Sequence, residues 1–60
     1  MTESEIVRIL KKEGFFEEPA KRHRKFRNPD GRVTFIPRHK GDLKLGTLKA
    51  IEKQTGIKFT

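Results

Sequence analysis

The sequence predicts an α+β fold of element order α-β-β-β-α, a three-stranded antiparallel sheet with two helices on one face. Three observations predict it. A capping box opens an amphipathic run near residue 2, a Pro-Asp-Gly turn separates two alternating segments, and a second amphipathic run closes on Gly56. The 60 residues fit one domain, 1–60, and a chain this short buries too little surface to be more than marginally stable alone.

Thr2-Glu3-Ser4-Glu5 is the capping box. The Thr2 hydroxyl can accept from the Glu5 amide, and the Glu5 carboxylate can reach back to the Thr2 amide. Ile6, Ile9, Leu10 and Glu13 follow at helical spacing, with Val7 widening the apolar stripe. Gly14 offers a left-handed stop, and Phe15 can pack back on the last turn. A helix is predicted over residues 3–13. Phe15-Phe16 begins a short strand that Pro19 ends or confines to an edge.

Asn28-Pro29-Asp30-Gly31 is the clearest local signal. Proline presets the first central turn position, and glycine tolerates the positive φ that closes a hairpin. The alternating flanks predict strands near 22–27 and 32–36, the second ended by Pro37. Phe26, Val33 and Phe35 are assigned to the helix-covered face. His23, Lys25 and Arg27, with Arg32, Thr34 and Ile36, are assigned to the open face. Residues 38–45 form a loop, and Gly46-Thr47 opens the second helix. Leu48, Ile51 and Thr55 share its stripe, and Gly56 stops it. Ile57 and Phe59 can fold back onto the core.

The charge is concentrated. Residues 21–40 hold eight bases against one acid, Asp30, while the rest of the chain holds seven bases and seven acids, so the whole +7 lies in the middle third. Such a stripe attracts a polyanion through its long-range field and through counterion release. Cysteine is absent, which leaves neither disulfides nor thiolate metal ligands and fits a cytoplasmic location. The longest uninterrupted apolar stretches are two residues, too short for a membrane-spanning helix or a signal-peptide core.

Two histidines carry the remaining chemistry. Neither His23 nor His39 has a cysteine neighbour, and only Asp42 is an acid near His39. A zinc site needs three or four ligands, so no metal or other cofactor is expected. Glycine-rich phosphate cradles and serine nucleophile elbows are also missing. What stands out is His23 among cations. An imidazole titrates in the range needed to take a proton from a ribose 2′-hydroxyl, which then attacks its own phosphodiester. Lys and Arg can stabilise the charge that builds on phosphorus oxygens. Spacing alone leaves a second reading open, in which His23 is one more phosphate-contacting surface residue. His39, within Pro37-Arg38-His39-Lys40, reads as a loop contact.

The ordered set of segments resembles the HicA toxin family. It comprises His23-Arg24-Lys25-Phe26-Arg27-Asn28-Pro29-Asp30-Gly31-Arg32, then Ile36-Pro37-Arg38-His39-Lys40-Gly41 and Asp42-Leu43-Lys44. Gly46-Thr47-Leu48-Lys49-Ala50-Ile51 and the ending Lys53-Gln54-Thr55-Gly56-Ile57 complete it, and the opening helix with Gly14-Phe15-Phe16 also matches. The resemblance implies a double-stranded-RNA-binding-like fold. It implies cleavage of mRNA that arrests growth, and a HicB-type antitoxin that covers the active histidine. By position His23 matches the family's catalytic histidine. In the family that residue usually follows Gly-Ser, whereas Lys21 and Arg22 precede it here. The change removes backbone freedom and a hydroxyl, and adds two cations.

A metal-independent endoribonuclease toxin is therefore expected, with His23 catalytic. Lys21, Arg22, Arg24, Lys25, Arg27, Arg38, His39 and Lys40 are expected to contact RNA. The free protein should be a monomer that forms a heteromer with its antitoxin, with no membrane partner. The alternatives are a non-catalytic basic RNA-binding module and a protein-interaction domain with a basic face. Arg38, His39 and Lys40 stay open as the second proton-transfer group.

Overall fold

A computed structural model describes residues 1–59. The first helix, α1 (Glu3–Lys12), begins at the capping box: the Glu5 amide donates to Thr2 Oγ1 at 3.3 Å, and the Thr2 amide donates to Glu5 Oε1 at 2.9 Å. The chain turns at Gly14, whose φ of +90° lets the Phe15 amide donate to the Leu10 carbonyl at 2.9 Å. That turn drops Phe15 into the core and leaves Phe16 to start β1 (Phe16–Glu18). Two further strands, β2 (Arg24–Arg27) and β3 (Val33–Ile36), complete an antiparallel sheet of order β1-β2-β3. The second helix, α2 (Leu45–Thr55), follows. The predicted α-β-β-β-α architecture is the architecture observed.

One feature of the sheet corrects the sequence-based expectation. Val33 and Phe35 were expected against the helices, and Thr34 and Ile36 in water. The structure reverses this: Thr34 and Ile36 are fully buried, while Phe35 is 47% exposed. The cause lies in the turn. The Gly31 amide donates to the Asn28 carbonyl, and the Asn28 amide donates to the Arg32 carbonyl, both at 3.0 Å. With Gly31 left-handed at φ +88°, Pro29–Gly31 forms a three-residue hairpin loop. Asn28 Oδ1 secures it by accepting from the Arg32 amide at 2.8 Å. Arg27 then pairs with Val33 and Phe26 with Thr34. Directly paired residues share a face, so one extra loop residue flips every side chain of β3. Burial of Thr34 is tolerated because its hydroxyl donates to Gln54 Oε1 of α2 at 2.6 Å.

Ile6, Val7 and Leu10 of α1, Leu48 and Ile51 of α2, Phe26 and Ile36 of the sheet, and Phe15 and Leu43 form one buried apolar cluster. Ile57 and Phe59 pack against this cluster, as their spacing suggested. Helix α2 starts one residue before Gly46, after an N-cap Lys44 that makes no side-chain cap. Gly56 ends it at φ +77°. Ahead of α2, the chain is tied back to the N-terminus: Asp42 bridges Thr2, and the Leu43 amide donates to the Met1 carbonyl at 2.7 Å. Among the described residues no helix is long and apolar enough to cross a membrane.

Candidate functional site

Antiparallel pairing of Arg24 with Ile36 sets the start of β2 beside the end of β3. Two basic segments far apart in sequence, 21–23 and 37–40, therefore emerge at the same end of the sheet. Arg38 joins them, its Nε donating to the Arg22 carbonyl at 3.0 Å. The His39 amide is held separately by Glu3 Oε1, at the first turn of α1, at 2.9 Å. Beyond Lys40 and Gly41 the chain is pinned again, the Met1 amino group lying 3.3 Å from Asp42. This stretch has no regular secondary structure, yet it is fixed at Arg38, His39 and Asp42.

His23 lies in the bend that precedes β2, one residue outside the strand, and is exposed. Lys21, Arg22, Arg38, His39 and Lys40 are exposed on the same two segments. None of these six side chains forms an ion pair among the described residues, although Arg38 lies near enough to Glu3 and Glu17 to help lower both carboxylates through space. Arg38 uses Nε on the Arg22 carbonyl, and its two terminal nitrogens stay available for an anion.

Arg24, Lys25 and Arg27 are placed differently. Arg24 points to the helix side of the sheet. Its Nε and Nη2 donate to the two oxygens of Glu17 at 2.9 and 2.8 Å, and its Nη1 donates to Glu3 at 3.2 Å. Its guanidinium also sits over the Phe26 ring, 5.7 Å from the centroid. Lys25 and Arg27 lie on the open face and share Glu18, at 3.4 Å and 3.1 Å. The structure thus separates the basic residues into a group at the His23 end that forms no ion pairs among the described residues and a group ion-paired with carboxylates.

Those carboxylates are the functional neighbours that sequence reasoning missed. Glu17 and Glu18 could have been found by pairing 16–18 against 24–27 as antiparallel strands. Glu3 is 36 positions from His39, and no local signal connects them. The pairings perturb titration. The His39 N–H, more than Arg24, holds Glu3 below the usual carboxylate range. Glu17 is held down chiefly by its hydrogen bond from Arg24, and Glu18 by that from Arg27. Arg24 is raised further above its already high range, mainly by Glu17.

The backbone before His23 has no left-handed residue at Lys21 or Arg22. Among the described residues no non-glycine residue has positive φ, so neither position needs the freedom that glycine would supply. No group of three or more His, Cys, Asp or Glu side chains that could hold a metal ion occurs among the described residues. A shallow open groove of about 360 Å³ lies at the end of α2, lined by Lys49, Glu52, Lys53, Gly56, Ile57 and Lys58. It includes no residue of the His23 end.

The arrangement sets an exposed imidazole at the same end of the sheet as exposed basic side chains that form no ion pairs among the described residues. A family model described as the HicA toxin of bacterial toxin–antitoxin systems matches residues 4–57. A search of curated proteins found no match.

Proposed function

The chain belongs to the HicA toxin family of bacterial toxin–antitoxin systems, and from that premise we propose that it is a metal-independent endoribonuclease that cleaves mRNA at His23. The observation that carries this reading is the Arg38–Arg22 contact, which joins two basic segments at the end of the sheet where His23 is exposed.

In the proposed reaction, Arg22, Arg38, Lys21 and Lys40 hold the backbone phosphates of unpaired RNA, where each ribose presents its 2′-hydroxyl. Neutral His23 takes the proton from that hydroxyl, and the oxygen attacks the adjacent phosphorus. The new O2′–P bond forms as the P–O5′ bond breaks. The departing O5′ takes a proton, which leaves a 2′,3′-cyclic phosphate and a 5′-hydroxyl. Negative charge peaks on the non-bridging oxygens at the midpoint, where the unpaired guanidinium and ammonium groups stabilise it. His39, Arg38 and Lys40 are the candidates to protonate O5′, and all three sit on the segment pinned by Glu3 and Arg22.

The carboxylate-matched residues take another role in this scheme. Arg24 holds β1 and α1 to β2, and Lys25 and Arg27 contribute less to phosphate binding than the end cluster does. A HicB-type antitoxin is the proposed partner, with an acidic surface that covers His23 and neutralises the end cluster. Binding only the folded toxin would also stabilise this small domain.

Incubation of the purified chain with single-stranded RNA tests the reading. Wild type should yield fragments ending in cyclic phosphate, and His23→Ala should leave RNA bound but intact.

A further inference from the structure

Glu3 carries two contacts that meet at the His23 end. Its Oε1 accepts from the His39 amide at 2.9 Å, and its Oε2 accepts from Arg24 Nη1 at 3.2 Å. Arg24 is the residue next to His23, and Arg24 is in turn locked by both oxygens of Glu17. A single carboxylate therefore spans the strand start that carries His23 and the loop that carries Arg38, His39 and Lys40. The Glu3 side chain is 18% exposed, and it belongs to the first residue of α1, whose cap is fixed by Thr2 and Glu5. The capping box holds the start of this helix, and Thr2 bridges Asp42 on the far side of the same loop.

We propose that Glu3 is a positioning residue of the RNA-cleaving site, setting the distance between His23 and the Arg38–Lys40 segment through Arg24 and the His39 backbone. The inference rests on the ribonuclease reading for its consequence and on the two hydrogen bonds for its geometry. Glu3 touches no substrate in this scheme. It acts by removing freedom from two segments whose relative placement decides whether base, phosphate and proton donor can align.

Charge alone gives no reason for turnover to fall. Glu3 is an acid beside a phosphate-binding surface, so deleting it should strengthen RNA binding through simple electrostatics. A positioning role splits binding from turnover. The Gln variant keeps an amide oxygen that can accept from the His39 N–H, but its NH2 group cannot accept from Arg24. The Ala variant loses both contacts.

The experiment compares full-length wild type, Glu3→Gln and Glu3→Ala with a single-stranded oligoribonucleotide, following affinity, turnover at saturating RNA and amide hydrogen exchange of His39. For Glu3→Ala the expected result is turnover lower by roughly ten- to a hundredfold, affinity unchanged or tighter, and faster His39 exchange. Glu3→Gln should fall between that variant and wild type. Unchanged turnover and unchanged His39 exchange in Glu3→Ala would overturn the inference. So would parallel losses of affinity, turnover and global exchange protection, which would mark a purely structural residue. Failure of wild type to cleave would instead defeat the ribonuclease reading, and with it the catalytic consequence. The geometric half is decided independently by His39 exchange in Glu3→Ala, faster if it holds and unchanged if it fails.

Discussion

Arg38 Nε donates to the main-chain oxygen of Arg22 at 3.0 Å, sealing the end of the sheet at which His23 is exposed. The bond uses one nitrogen of the exposed guanidinium and leaves the two terminal nitrogens without a hydrogen bond to the described residues. On the proposed reading Arg38 serves as both a brace and a phosphate ligand, which lysine could not do, since its single ammonium offers no fixed fork.

Arg38→Ala should weaken RNA binding and reduce the slope of log affinity against log salt by about one, the signature of one lost phosphate contact. Arg27→Ala should change the slope less, because the Glu18 carboxylate on its Nε already offsets that charge, whereas Arg38 Nε meets only a neutral carbonyl. Binding titrations at several salt concentrations measure both. Equal slope changes would show that the carboxylate pairing does not decide which bases engage RNA.

Arg24→Ala should destabilise the fold by roughly 1–3 kcal/mol, because it strips Glu3 and Glu17 of their shared partner. Arg24→Lys should not restore full stability, since an ammonium cannot make the paired bonds to Glu17 and the third bond to Glu3 together. Denaturant unfolding gives the comparison.

Phe26→Ala and Phe35→Ala test the corrected register. Phe26 is fully buried, so its truncation should cost about 3–5 kcal/mol. Phe35 is 47% exposed on the open face, and truncation there should cost about 1 kcal/mol or less. The register expected from alternation alone would make both substitutions costly.

Stability should fall as acid is added. Glu3, Glu5, Glu17 and Glu18 are all held below the ordinary carboxylate value of 4.5 in the folded protein, by hydrogen bonds from His39, Thr2, Arg24 and Arg27 respectively. A depressed folded pKa contributes stability that is fully present above the unfolded value. That contribution disappears as pH drops through the folded one. The unfolding midpoint should therefore hold steady from neutral pH to about 5.5 and decline below about 4.5. A midpoint that rises on acidification through that window would contradict the pairings.

Much of the fold is legible in the sequence because its signals are local. The capping box, the glycine stops at Gly14 and Gly56, and the Asn28–Gly31 turn each act within a few residues, and each is found where expected. The β3 face was not legible, because it depends on whether the turn closes with an even or odd number of residues. Hydrophobicity favoured Val33 and Phe35 for the core, and only the Thr34–Gln54 hydrogen bond explains why Thr34 could take that place. The site shows the same division. His23 and the two basic segments stand out by composition. Their sorting into free and matched cations does not, because it follows from strand pairing and from Glu3, which reaches His39 only once α1 has docked.

Induced expression of wild type beside His23→Ala, with growth and total RNA followed together, tests the ribonuclease assignment most directly. Wild type should arrest growth and deplete mRNA, while His23→Ala, folded and present at the same level, should do neither. Growth arrest with RNA loss from the His23→Ala protein would contradict it.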